Sequence, residues 1–152
     1  MIRIVLMSVT VRPLRPADET EWRALWKAYL EFYETSVSDQ VYSTTFGRLV
    51  DPAVSTQFGL IAEANDQAIG LVHVILHPHN WRVEDVCYLQ DLYVVPEARG
   101  TGAGRSLIEA VYAAADANGT PSVYWLTQEF NTSARQLYDR IAKVTPFIKY
   151  QR

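Results

Sequence analysis

The feature that most constrains this chain is an apolar strand that runs through a glycine-rich turn into an amphipathic helix. Residues 86–95 are apolar on both faces, which predicts a buried central strand ending at Pro96. The turn at 99–104 reads Arg-Gly-Thr-Gly-Ala-Gly, and a helix with one apolar stripe follows as far as Gly119. A strand returns at 122–127, so this unit predicts parallel strands joined by a right-handed crossover.

The rest of the sequence predicts further strands and helices around this unit. The other predicted elements are an extended segment at 9–14, helices at 16–33 and 41–49, strands at 58–63 and 68–77, a last helix capped by Asn131, and a closing strand at 146–150. Strands outnumber those that a simple βα alternation would supply. The fold class is therefore a mixed α/β sheet of about six to seven strands, with helices on both faces.

Length and composition limit the possible partners. The 152 residues suit one domain, taken as 1–152, in which residues 1–7 are flexible or precede a start at Met7. With 14 Lys plus Arg against 17 Asp plus Glu, the charge of -3 gives no bulk attraction for nucleic acid or an anionic membrane. Cys87 is the single cysteine and cannot form an internal disulfide, which suits a reducing cytoplasm.

The glycine-rich turn predicts a local anion site. A helix N-terminus preceded by glycines offers unpaired backbone N–H groups and the positive end of a dipole. Two common phosphate motifs are incomplete, because the chain has no GxxxxGK[ST] and Gly100-x-Gly102 does not continue to GxGxxG. A tight turn without a ligand is the alternative. Any anionic ligand of this acidic chain is expected here.

The residues around the turn carry a family resemblance. The run 91–104, DLYVVPEARGTGAG, resembles the acetyl-coenzyme A (acetyl-CoA) pyrophosphate loop of the GNAT N-acetyltransferases, written Arg/Gln-x-x-Gly-x-Gly/Ala. Asn131-x-x-Ala134-x-x-x-Tyr138 resembles the second signature of that superfamily, and residues 86–142 are most similar to its yeast histone/polyamine branch. The resemblance implies a GNAT fold splayed at the acetyl-CoA site and direct acetyl transfer to a primary amine in a ternary complex, with no metal.

The resemblance also implies where acetyl-CoA is held. The pyrophosphate would lie on the amides of 100–104 near Arg99 and Arg105, and pantetheine would pair with the backbone of 92–94, where we expect a bulge near Leu92. Asn131 can also be a helix cap only, and Arg105 an exposed helix residue. The implied cofactor-binding residues are Leu92, Tyr93, Val94, Arg99, Gly100, Thr101, Gly102, Ala103, Gly104, Arg105, Asn131, Ala134 and Tyr138.

The catalytic candidates are an acid and a base. By resemblance, Tyr138 is the general acid that protonates the departing thiolate; without the motif it reads as a core aromatic. An attacking amine must be neutral, so a base or a water path has to take its proton. Polyamine acetyltransferases carry Leu-Glu-Asp in the central strand, whereas this chain has Gln90, which cannot accept a proton at neutral pH. Asp91 and Glu129 remain as candidate bases.

Aromatic and acidic side chains are the candidates for binding the acceptor. Tyr29, Tyr33, Trp81, Glu84 and Gln90 could form a pocket for a cationic amine, although the aromatic helix residues can equally be core. We expect a small-molecule acceptor, either a polyamine or an amino compound, and by resemblance a homodimer. The alternatives are a noncatalytic CoA sensor, which Gln90 keeps open, and a protein lysine or N-terminal acetyltransferase.

Overall fold

The computed structural model describes residues 8–152, whose strands form one mixed sheet. The strands are β1 (Thr10–Pro13), β2 (Gln57–Ala64), β3 (Gln67–His77), β4 (Val86–Val94) and β5 (Val123–Tyr124). They lie in sequence order, with β1 to β4 antiparallel and β5 parallel to β4. The predicted meander and the parallel strand–helix–strand unit are therefore confirmed. Residues 1–7, predicted to be flexible or to precede the start, lie outside the described range.

Helices cover both faces of the sheet, as predicted. They are α1 (Glu19–Phe32), α2 (Asp39–Val50), α3 (Ala103–Ala117) and α4 (Thr132–Ile141). The apolar stripes of α1 and α2 pack on one face, where Trp22 is completely buried, and α3 and α4 pack on the other. No helix within residues 8–152 has the length and apolar character needed to cross a bilayer.

The sheet is smaller than predicted at its C-terminal end. Five strands are present among the described residues, where we expected six to seven, and the strand predicted at 122–127 is only Val123–Tyr124. The strand predicted at 146–150 is absent, and Phe147 and Tyr150 in that segment are 81% and 88% exposed. A strand is stable only when its backbone pairs with an edge, and this segment pairs with none of residues 8–152.

A bulge in β4 lies two residues before the expected position. His73 pairs with Asp91 and Val74 pairs with Leu89, so Gln90 is the extra residue of β4. The prediction of a bulge near Leu92 was therefore wrong in position. Hydrophobic periodicity does not reveal a bulge in a strand that is apolar on both faces, because shifting the alternation by one residue leaves the pattern unchanged.

Candidate active site

The site begins where β5 separates from β4. The two strands share only two residue pairs, Cys87 with Val123 and Tyr88 with Tyr124. Beyond these pairs the chain at 125–127 diverges, and a narrow cleft opens between it and the bulged part of β4. We call this the β4–β5 cleft. Its lining residues are Tyr29, Tyr33, Leu89, Gln90, Leu92, Trp125, Leu126, Thr127 and Tyr138.

The splay leaves one edge of β4 free beside the cleft. Residues 92–94 pair with β3 through Val72, Leu71 and Gly70, whereas β5 pairs only with the first part of β4. The backbone groups of 92–94 on the β5 side can therefore accept an extended ligand as an additional strand. Leu92 also lines the cleft, while Tyr93 is buried against α1.

The glycine-rich turn leads directly from this edge into α3. Gly100 and Gly102 have φ values of +81° and +86°, a left-handed conformation that glycine adopts without steric strain. Gly102 is the N-cap of α3, no side chain caps that end, and the first turn contains no acidic residue. The first N–H groups of α3 therefore point outward without a side-chain acceptor, which suits a polyanion.

The two arginines of the turn are exposed. Arg99 donates from Nε to the carbonyl of Val94 at 3.3 Å, and its guanidinium lies 5.9 Å from the centre of the Phe32 ring. Arg105 forms an (i, i+4) ion pair of 2.8 Å with Glu109 on the solvent side of α3. Arg99 thus lies beside the free edge of β4. The Arg105 side chain is held along the helix by Glu109, which would compete with a bound anion for the guanidinium.

Tyr138, the candidate acid, lies on α4 and is part of the cleft lining. It packs edge-on against Trp125, with ring centroids 5.4 Å apart. Burial, with a smaller contribution from Tyr33, raises the pKa of the Tyr138 phenol to about 12. Tyr138 is therefore fully protonated at neutral pH and can act as a proton donor.

The predicted acceptor residues separate into two groups. Tyr29, Tyr33 and Gln90 line the cleft together with Tyr138. Trp81 is 85% exposed and packs edge-on against His79 in the loop before β4, and Glu84 lies 3.8 Å from Arg82 in the same loop. The structure therefore brings three of the five predicted acceptor residues to the cleft and leaves the other two on a surface loop.

The two candidate bases differ in environment. Asp91 is 7% exposed and accepts a hydrogen bond of 2.7 Å from His73 Nδ1, so it is buried beneath the cleft and not in its lining. Glu129 is exposed before α4, and its backbone carbonyl accepts a bond from Arg135. Neither carboxylate lines the cleft, and only Asp91 lies close to side chains that do.

Asn131 has the local role that its sequence position allows. Its Oδ1 accepts from the backbone N–H of Ala134 at 3.4 Å, so Asn131 is the N-cap of α4.

Sequence reasoning missed two parts of the site. Trp125 to Thr127 were taken as strand, although they form a wall of the cleft, and His73 was not among the candidate site residues. The separation of β5 from β4 after two residue pairs gives no sequence signal.

Comparison with known proteins shows the family to which the chain belongs. The profile of the Acetyltransferase (GNAT) family matches residues 22–142. The D-amino-acid N-acetyltransferase HPA3 of Saccharomyces cerevisiae is 44% identical over 147 residues, covering 95% of this chain and 90% of HPA3. The aminoglycoside N-acetyltransferase AAC(6')-Iy in complex with CoA superposes with a TM-score of 0.82 at 19% identity, covering 96% of this chain and 95% of that one.

A third similar structure comes from another kind of acetyltransferase. The ribosomal-protein-alanine N-acetyltransferase from Brucella melitensis biovar Abortus 2308 has a TM-score of 0.79 at 18% identity, covering 95% of this chain and 99% of that one. The fold and the family match thus define an acyltransferase. The chain belongs to the acetyltransferase (GNAT) family and is an acetyl-CoA-dependent N-acetyltransferase.

Proposed function

We propose that this enzyme transfers acetyl directly from acetyl-CoA to the primary amine of a small amino compound, with both substrates bound at once. The observation that carries the proposal is the β4–β5 cleft, which is lined by the protonated Tyr138 and by Leu92 at the free edge of β4, the strand that leads into the uncapped N-terminus of α3. Acetyl-CoA supplies the acetyl group as a thioester. Cys87 is buried away from the cleft lining, which argues against an acyl-enzyme on its thiol.

Each part of the site has a proposed role. The N–H groups of 100–105, with Arg99, hold the pyrophosphate, and the free edge of β4 at 92–94 pairs with pantetheine. Tyr138 donates its proton to the departing thiolate. Tyr29, Tyr33 and Gln90 contact the acceptor, since they line the cleft together with Tyr138. Asn131 and Ala134 orient α4 and hence Tyr138.

Two features support a small amino compound as acceptor. HPA3, at 44% identity over nearly the whole chain, is named for D-amino acids, so amino acids are the first acceptors to test. An open depression lined by Glu31 and Glu34 also adjoins Tyr33 at the end of α1, where it would attract a cationic amine. Polyamines, which carry more positive charge, are therefore the second class to test.

A thiol-release assay on an amine panel tests this function. Purified enzyme and acetyl-CoA are incubated with D- and L-amino acids, spermidine, an aminoglycoside and a lysine peptide, and products are identified by mass spectrometry. We expect CoA release with a small amino compound and a product heavier by one acetyl group. Binding of acetyl-CoA without release above background for any amine would instead indicate a sensor. Turnover with the peptide alone would indicate a protein acetyltransferase.

We also propose that the chain forms a homodimer through its C-terminal segment. Val144, Phe147, Ile148 and Tyr150 are each at least 75% exposed, and apolar side chains at this density are normally covered. A strand formed by 146–150 would gain a pairing edge from a second copy. Light scattering after size-exclusion chromatography should give twice the mass of 17.3 kDa. A monomeric mass at micromolar concentration would contradict the proposal.

A further inference from the structure

A chain of buried hydrogen bonds runs from α1 across β3 to β4. The Trp22 indole N–H donates to His73 Nε2 at 2.8 Å, and His73 Nδ1 lies 2.7 Å from Asp91 Oδ2. An indole nitrogen can only donate, so His73 Nε2 is the acceptor and its Nδ1 carries the proton. His73 thus donates its Nδ1–H to Asp91. This arrangement holds the Asp91 side chain beneath the cleft.

Tyr29 connects this carboxylate to the cleft. Its ring is part of the cleft lining and packs edge-on against Tyr93, with ring centroids 6.4 Å apart, two residues along β4 from Asp91. The pKa of Tyr29 is raised well above its usual value by burial and by the charge of Asp91. Tyr29 therefore keeps its proton and donates it toward Asp91. A hydroxyl that donates in one direction leaves its oxygen lone pairs free to accept from the other.

The amine that receives the acetyl group needs a nearby group that can take its proton. At pH 7 only about one in a thousand primary amines of pKa near 10 is neutral. None of the side chains that line the cleft is a carboxylate or a histidine. Within residues 8–152, Asp91 is the acidic side chain whose charge acts on the hydroxyls of Tyr29 and Tyr33, both of which belong to the cleft lining.

We propose that the acceptor amine loses its proton through Tyr29 to Asp91, with His73 and Trp22 as positioning residues. The amine N–H bond breaks as a new O–H bond forms on Tyr29. The original Tyr29 proton passes to Asp91, which becomes a neutral carboxylic acid. His73 keeps its Nδ1 proton because Trp22 occupies its Nε2. After product leaves, the proton returns by the same path to water. This inference rests on the proposed function.

The pH dependence of Tyr29→Phe tests the relay, using the best amine of the panel. Asp91 is faced by His73 from β3, by Tyr29 and Tyr33 from the end of α1, and by Tyr88 on β4. Without the Tyr29 hydroxyl the enzyme must capture amine that is already neutral. We expect kcat/KM at pH 7 to fall about 100-fold. The ratio of wild-type to Tyr29→Phe kcat/KM should shrink about tenfold for each unit of pH up to pH 9, because the neutral fraction of the amine rises by that factor.

Three further measurements make the test decisive. Tyr42→Phe removes a hydroxyl from the same aromatic cluster but keeps the ring that packs on Trp22 and Trp26. Because the Tyr42 hydroxyl is not part of the relay, this variant should keep the wild-type pH profile. Asp91→Asn should reproduce the pH-dependent deficit of Tyr29→Phe. In wild-type enzyme, 15N chemical shifts of His73, assigned with His73→Gln, should show the neutral Nδ1–H form, whether or not substrates are present.

The outcomes separate the relay from the proposed function. A Tyr29→Phe deficit that is constant from pH 7 to pH 9 would leave Tyr29 with a packing role only and would overturn the relay. A His73 proton on Nε2, or a doubly protonated ring, would overturn the assigned direction of the hydrogen bonds. Either result would leave wild-type acetyl transfer intact. Failure of the wild-type enzyme to release CoA with any amine would instead contradict the proposed function.

Discussion

The role of Tyr138 can be tested by removing one oxygen atom. Tyr138→Phe keeps the ring that packs on Trp125 but removes the hydroxyl from the cleft. The pKa of about 12 means that ionising Tyr138 at pH 7 costs about 7 kcal/mol, since each unit is worth about 1.4 kcal/mol. Tyr138 is therefore a proton donor across the assay range and has no role as a phenolate base.

The expected loss follows from this protonation state. General acid catalysis contributes about 10² to 10⁴ in rate, so Tyr138→Phe should lower kcat at pH 7.5 by at least about 100-fold. Because the pKa of Tyr138 is raised, its acid form persists as pH rises. The kcat of the wild-type enzyme should therefore show no decline assignable to Tyr138 between pH 7 and pH 10. Acetyl-CoA affinity, measured by calorimetry, should change less than threefold.

A matched control is available in Tyr112. Its hydroxyl donates to the carbonyl of Ile141 at 2.9 Å, outside the cleft. Tyr112→Phe should lower the free energy of unfolding by about 1 kcal/mol and leave turnover unchanged. The acid role of Tyr138 would be refuted if Tyr138→Phe kept kcat within about twofold of wild type while both variants folded normally by circular dichroism.

Three other predictions concern the backbone and one buried ion pair. Gly102→Ala places a side chain at φ +86°, so it should lower the free energy of unfolding by about 1–2 kcal/mol and weaken CoA binding severalfold by calorimetry. Gly119→Ala, at φ +74° beyond the other end of α3, is the control and should lower the free energy of unfolding without weakening CoA binding. Gly70→Ala would bring Cβ to 2.7 Å from a backbone oxygen of β4, so urea unfolding should show a loss of about 1–3 kcal/mol. Arg12 lies 2.8 Å from Asp18 and, by hydrogen bonding, lowers the pKa of that carboxyl. The pair therefore stabilises the fold at pH values above 3.8, the ordinary pKa of the carboxyl, and this stabilisation is lost as the pH falls below that value. Asp18→Asn should consequently lose less stability than wild type between pH 5 and pH 3.

Much of the fold and part of the site could be predicted from sequence. The left-handed glycines of the turn and the Asn131 cap depend on local rules, namely positive φ at glycine and side-chain capping, whereas Tyr138 was chosen by family resemblance. The splay was expected only through family resemblance. The wall at 125–127 was missed because diverging strands carry the same apolar residues as pairing ones.

The acidic residues show where sequence reasoning stops. Asp91 was kept as a candidate base because its carboxylate lies next to Gln90 in the sequence. The sequence could not indicate that Asp91 would meet His73, because that pairing depends on the register between β3 and β4. Glu129 and Glu84 were chosen for their charge and nearness in sequence, and the structure leaves both outside the cleft lining.

The bulge at Gln90 unites the fold with the proposed chemistry. Before it, Cys87 and Leu89 face the apolar layer under α3; after it, Leu92 faces that layer and Asp91 faces α1. A regular strand would carry the face of Leu89 on to Asp91 and bury the carboxylate among apolar side chains without a partner, which is strongly unfavourable. The extra residue turns Asp91 toward His73 and Tyr29 and, in the same step, breaks the ladder beside the cleft. One inserted residue therefore supplies both the buried charge and the opening above it.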